Sequence, residues 1–317
     1  MAHYITSIIE AIGNTPLLRL DKLVAKHGAE GEIFAKLEHL NPSFSKKDRI
    51  ALGMIETAEK KGLLKKGQPV LEVTSGNTGT GLALVCAAKG YKFICCMSKG
   101  NSIERVKMIQ AFGGEMVLVD QAPTSIKGKV SNDDLVLVEK KAETIAKEIG
   151  AYLINQFYNL DNAAAQEPAA KEMWEQSGGN LDAFADFIGT GGTFAGYTKV
   201  LKKHNPDILC YAVEPQGCAY YGDEIEQGAT HIIQGGGYAK CVKNVEPQSI
   251  DGVVTVCEEE VIEITRDLAG VEGVFAGFSS GANVAAAIRL LKGDMKGKKV
   301  GIVINDCGLK YMSTSLY

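Results

Sequence analysis

Short apolar runs rich in β-branched residues alternate along the chain with longer stretches whose apolar positions recur at helical spacing. The runs at 33–36, 69–73, 92–96, 116–119 and 152–155 predict strands, and the stretches at about 49–62, 78–89, 102–112 and 134–149 predict helices between them. The second half repeats the habit, with strands at 185–188, 208–213, 253–256 and 300–304 and helices at about 162–176, 192–203, 258–270 and 280–292. Such alternation predicts an α/β fold of βαβ units, with parallel-rich sheets covered by helices on both faces. No internal repeat and no low-complexity segment interrupts it. A polar loop at 121–133 leads into one helix, where Ser131 and Asp134 could form a capping box; a plain surface connection explains it as well.

A chain of 317 residues is long enough for two lobes. The division is expected near residues 150–160, giving an N-terminal lobe at 1–153 and a C-terminal lobe at 154–317, with an early segment crossing to the other lobe.

Composition narrows the function classes. Hydrophobic residues at 45% and charged residues at 23% are ordinary for a soluble globular protein. A net charge of -4 with no basic block argues against a nucleic-acid partner. The start, Met1-Ala2-His3-Tyr4, lacks the pattern of a signal peptide, and no apolar run approaches a membrane span. The eight cysteines are scattered without a C-x-x-C, and Cys86, Cys95, Cys96, Cys210 and Cys257 read as small core residues. That usage suits a reducing cytoplasm and offers no zinc site; the five histidines show no ligand spacing.

Chemistry enters at Asn41-Pro42-Ser43-Phe44-Ser45-Lys46-Lys47-Asp48-Arg49-Ile50, a turn running straight into a helix. Lys47 at that junction lies near the positive end of a helix dipole, where a neutral amine fit for Schiff-base chemistry is favoured. The alternative is a solvated lysine in a basic patch, with Lys46 beside it.

Three glycine-rich loops sit where predicted strands lead into helices, the position at which α/β sheets bind ligands. Thr74-Ser75-Gly76-Asn77-Thr78-Gly79 offers hydroxyls, an amide and backbone N–H groups for a carboxylate, or else simply caps its helix. Gly189-Thr190-Gly191-Gly192-Thr193 reads as a phosphate cup made of backbone N–H groups and hydroxyls, against the alternative of a bare tight turn. It matches neither the triphosphate nor the dinucleotide signature. Gly277-Phe278-Ser279-Ser280-Gly281 matches G-x-S-x-G literally, but a hydrolase needs a later acid and then a histidine, and none follows His231. A serine making one hydrogen bond is the better reading. One lysine, a carboxylate cradle, a phosphate cup and a lone serine together fit pyridoxal 5′-phosphate (PLP) acting on an amino acid.

With these motifs the chain resembles the cysteine synthase and cystathionine β-synthase family of fold type II PLP enzymes, a two-lobed fold like that of the tryptophan synthase β chain. The likeness runs nearly end to end: Ile12-Gly13-Asn14-Thr15-Pro16-Leu17, the stretch from Asn41 to Arg49, the loop 74–79, Ser102-Ile103-Glu104-Arg105, Gln156-Phe157, the loops 189–193 and 277–281, and Tyr311-Met312-Ser313-Thr314. The resemblance implies that Lys47 is the Schiff-base lysine and that Asn77 contacts the cofactor's 3′-oxygen. It implies that Thr74, Ser75, Gly76, Thr78 and Gln156 hold the substrate carboxylate. It further assigns the phosphate to Gly189, Thr190, Gly191, Gly192 and Thr193, and the pyridine nitrogen to Ser279. No metal is implied.

The implied reaction is β-replacement on an O-activated serine, O-acetylserine plus sulfide giving cysteine, through an α-aminoacrylate. β-Elimination, cysteine desulfhydration, a cystathionine-forming condensation and a non-catalytic peptide-binding relative are the alternatives. The resemblance also implies a cytoplasmic homodimer and a possible complex with serine acetyltransferase. Three departures stand out: Lys46 where the family carries an apolar residue, the segment His231-Ile232-Ile233-Gln234-Gly235-Gly236-Gly237-Tyr238, and Tyr158-Asn159-Leu160-Asp161. The last two are expected near the substrate entrance, so leaving group and nucleophile stay open.

Overall fold

The computed structural model describes residues 4–74, 76–101, 103–125 and 132–317. In chain order its strands are β1 (Leu17–Arg19), β2 (Gly31–Lys36), β3 (Val70–Val73), β4 (Phe93–Ser98), β5 (Glu115–Val119), β6 (Tyr152–Leu153), β7 (Ala183–Phe187), β8 (Leu209–Pro215), β9 (Cys218–Ala219), β10 (Glu224–Ile225), β11 (Gly252–Val256) and β12 (Lys298–Val303). The helices are α1 (Asp21–Lys26), α2 (Lys47–Lys60), α3 (Asn77–Lys89), α4 (Ile103–Ala111), α5 (Asn132–Ile149), α6 (Asp161–Ala164), α7 (Glu167–Gln176), α8 (Gly192–His204), α9 (Glu258–Glu272) and α10 (Phe278–Lys292).

The chain forms two compact units, one of Met1–Ile12 with Lys47–Asp161 and one of Gly13–Lys46 with Asn162–Tyr317. In the first, a four-stranded parallel sheet runs β5-β4-β3-β6. Every residue of β4 is buried, as a central parallel strand requires. The first unit continues to Asp161 instead of closing at 153, because β6 pairs with β3 and the turn after it bonds back to Asn155.

The second unit holds a six-stranded sheet in the order β1-β2-β12-β7-β8-β11. Its pairs are parallel except β1 with β2. The early segment belongs here for a simple reason: β2 pairs along its length with β12, Gly31 opposite Lys298 and Lys36 opposite Val303. α10 is apolar nearly all round and lies in the core, with Ala282, Ala285, Ala286 and Ala287 among its buried residues. Small side chains let it pack against β7 and β12.

Most of the predicted elements form within a residue or two. The helix expected over 162–176 is two, α6 and α7, since Pro168 fits only in a first turn and so restarts the helix. The short elements β1, β9, β10 and α1 carry too few residues to show a period. Ser131 lies outside the described residues, but Asp134 does tie its loop back: its carboxylate accepts the Ala122 N–H at 2.6 Å and the Ser125 hydroxyl at 2.9 Å. Cys86, Cys95, Cys96 and Cys210 are buried, whereas Cys257 is only half-buried at the start of α9.

Candidate active site

In the first unit, Lys47 is the first residue of α2, at the junction the sequence predicts, and is half-buried. α3 lies close beside that turn because Gly81 has no side chain; a Cβ there would meet the Lys47 carbonyl oxygen at 3.0 Å. Lys46 is no solvated neighbour. It belongs to the second unit and is 7% exposed, and its Nζ lies 3.2 Å from both carboxylate oxygens of Asp186 on β7. Asn283 of α10 donates to the same carboxylate at 3.1 Å. Two buried charges must be paired to survive, and this pair is.

The loop after β3 is built from side-chain hydrogen bonds. The Thr74 hydroxyl oxygen accepts from the N–H groups of Gly76 and Gly79, both at 3.3 Å, and so caps the incoming helix. Thr78 donates its hydroxyl to Gln156 Oε1 at 2.7 Å, uniting two expected carboxylate residues that stand 78 positions apart. Asn77 is the first residue of α3 and half-buried; Ser75 lies outside the described residues. Beneath the loop, Glu72 was not foreseen as a site residue. Burial pushes its carboxyl up to about 8, against the opposing pull of N–H donors from Gln156, Val73 and Asn155.

The loop after β7 is built from backbone. Gly191 has φ +80°, a left-handed conformation that favours glycine, and α8 begins at Gly192. The space around the turn is already filled. A Cβ on Gly189 would meet the Gly235 carbonyl oxygen at 2.7 Å, one on Gly191 would meet Val245 at 2.5 Å, and one on Gly192 would strike the Asn162 amide. Thr190 is clamped twice: Asn162 Nδ2 donates to its hydroxyl at 3.1 Å and Asn244 Nδ2 to its carbonyl at 2.9 Å. Thr190 and Thr193 are both buried. The start of a 13-residue helix entered through a left-handed glycine suits a phosphate group, so the residues present fit PLP.

The segment 231–238 packs on this loop. Gly237 donates its N–H to the Ile188 carbonyl at 2.9 Å, and Gly236 lies so near Gly189 that a Cβ would approach its Cα to 3.0 Å. Ser279 opens α10, half-buried, and its hydroxyl oxygen accepts from Asn305 Nδ2 at 3.0 Å. Asn162, Asn244 and Asn305 escaped the sequence reading. The first two reach Thr190 across 28 and 54 positions, and no local pattern marks them.

The family described as “Pyridoxal-phosphate dependent enzyme” matches residues 8–306. The chain belongs to this family. It is 38% identical to a cysteine synthase of Staphylococcus aureus (strain N315) over 99% of this chain and 97% of that protein. Among solved structures it is similar to a cysteine synthase from Entamoeba histolytica, with a TM-score of 0.91, 32% identity and coverage of 99% and 91% of the two chains. An O-ureido-L-serine synthase superposes with a TM-score of 0.89 at 34% identity, covering 99% and 95%. The fold is therefore that of fold type II PLP enzymes, and PLP is the cofactor. Among the described residues no helix is long and apolar enough to cross a membrane. His27, Glu263 and Asp267 come together as groups able to ligate a metal, but Asp267 is already paired with Lys26 at 2.6 Å and with His27 at 2.9 Å.

Proposed function

We propose that this chain carries out β-replacement on an O-activated serine, taking O-acetylserine and sulfide to cysteine. The observation that carries the reading is its full-length likeness to cysteine synthases. Bound PLP supplies an electron sink that acidifies the α-hydrogen of an amino acid and lets its β-substituent depart.

The chain's own residues divide the remaining work. Lys47 Nζ would hold the cofactor and would accept the α-proton of the bound substrate. Its place at the start of α2 favours the neutral amine that both tasks need. Gly189, Thr190, Gly191, Gly192 and Thr193 receive the phosphate on N–H groups and hydroxyls. Thr74, Ser75, Gly76, Thr78 and Gln156 would receive the substrate carboxylate, and Asn77 would contact the 3′-oxygen of the ring. The Thr78 hydroxyl, spent on Gln156 in this structure, can turn to the carboxylate while Gln156 offers its amide. Ser279 would meet the ring nitrogen with a neutral hydroxyl. Without a carboxylate there the sink stays weak, which favours departure at the β-carbon. The same reading extends to a cytoplasmic homodimer able to meet a serine acetyltransferase, checked by light scattering of the chain alone and with that partner.

The test gives purified holoenzyme O-acetylserine with and without sulfide, follows absorbance, and identifies products by mass. Cysteine formed only when both are present supports the reading. Steady pyruvate from cysteine or serine, with no cysteine made, would put β-elimination in its place. Borohydride reduction and peptide mapping should label Lys47 and leave Lys46 bare; a label on Lys46 rejects the assignment.

A further inference from the structure

Asn305 follows β12 and faces in three directions. Its carbonyl oxygen accepts the Lys46 N–H at 2.9 Å, its own N–H reaches Ser280 Oγ at 2.9 Å, and its Nδ2 donates to Ser279 Oγ at 3.0 Å. The residue is 4% exposed, and its Oδ1 is buried with no hydrogen-bond partner among the described residues. Two backbone bonds fix the residue between the strand end and the first turn of α10, and its side-chain amide bonds to Ser279. None of them is with a residue to which the function above gives a role, except the bond to Ser279.

A serine hydroxyl has one hydrogen to give and two lone pairs to receive with. The amide of Asn305 fills one lone pair of Ser279. The hydrogen of Ser279 must then be given elsewhere, and a ring nitrogen without a proton is an acceptor. We infer that Asn305 is a positioning residue that turns Ser279 into a hydrogen-bond donor and thereby holds the cofactor's ring nitrogen unprotonated. The inference rests on the assignment of Ser279 to that nitrogen. If the amide were reversed, Oδ1 would take the Ser279 hydrogen, and Ser279 would be left to accept from a protonated ring. The choice between a weak and a strong electron sink is thus made one residue behind the serine. A side chain that can only accept would reverse it.

The test is nitrogen NMR of the holoenzyme loaded with PLP labelled at the ring nitrogen. In the unaltered protein the signal should lie in the range of unprotonated pyridine and stay there across the pH range in which the protein is folded. Asn305→Asp replaces the donor by an acceptor, so the signal should move strongly upfield, toward the protonated range. A signal unmoved in folded, PLP-loaded Asn305→Asp overturns the inference. Should that variant not fold, Asn305→Ala carries the test. Freed of the amide, the ring signal should become pH-dependent, and a signal as flat as that of the unaltered protein overturns the inference equally. Ser279→Ala separates the two levels. If it leaves the ring signal untouched, Ser279 is not the partner of the nitrogen, and the site assignment fails before the role of Asn305 is reached.

Discussion

The two glycine loops after β3 and β7 follow the same plan, strand to glycine turn to helix, yet they are held by different means. After β3, the Thr74 hydroxyl accepts from two backbone N–H groups of its own loop, and the Thr78 hydroxyl donates to Gln156. After β7, the loop is gripped from outside by Asn162, Asn244 and the 231–238 segment, and its glycines leave no room for change. Under the proposed function, the first arrangement would exchange one partner for another as a substrate carboxylate comes and goes, and the second would hold a group that stays.

The sharpest way to break this contrast is to crowd the loop after β7. Gly191→Val imposes a β-branched residue on a positive φ and drives it into Val245, and Gly192→Val strikes Asn162. Left-handed strain of roughly 1–2 kcal/mol with overpacking of similar size should weaken PLP retention by more than about tenfold, measured as occupancy after dialysis. Wild-type occupancy in both variants would mean that the phosphate lies elsewhere.

A smaller effect is expected after β3. Thr78→Val leaves Gln156 Oε1 without its donor, a loss of about 1–3 kcal/mol, so KM for the amino-acid substrate should rise roughly tenfold while PLP stays bound. Steady-state kinetics beside a cofactor spectrum reads both; loss of PLP with unchanged KM would invert the comparison.

Next comes the clamp on Thr190. Asn162→Ala removes one neutral hydrogen bond of about 1 kcal/mol and should loosen PLP by about fivefold, with KM little changed. Equal weakening of substrate and cofactor would show that the clamp serves both.

The last effect is one of pH. Glu72 has its carboxyl raised from 4.5 to about 8 by burial, so between those values the unfolded chain has released a proton that the folded chain still holds. Stability from this group is fully present below pH 4.5 and is lost as pH rises toward 8. Thermal unfolding followed from pH 5 to pH 8 should therefore show the unaltered protein losing a few degrees relative to Glu72→Gln. Parallel curves would mean that Glu72 ionises normally.

Much of this was legible in the sequence because it is local. Apolar runs announce strands, and glycine loops announce the starts of α3, α8 and α10. What could not be read depends on distance. Lys46 looks like any exposed lysine until the fold brings Asp186 to it from 140 positions away. Asn305 has no pattern of its own, and Glu72 sits in an apolar strand with nothing to show that it would be buried and near neutral. The glycines of the 231–238 segment press against the loop after β7, a contact that no spacing encodes. Residues 12–17 announced a family but not their neighbours, since the antiparallel β1–β2 pair is too short to show alternation.

The pairing of β2 with β12 has a consequence for how the protein is made. On a ribosome the stretch Lys47–Asp161 emerges whole, and its four-stranded sheet can close while the rest is still being synthesised. The larger sheet cannot. Its second strand is among the earliest residues out, and the neighbour it needs, β12, arrives only after residue 298. Until then β2 and β7 both have an open edge where one strand is missing, the state in which foreign strands are most easily recruited. A nascent chain stalled just before β12 should therefore be the species most in need of a chaperone.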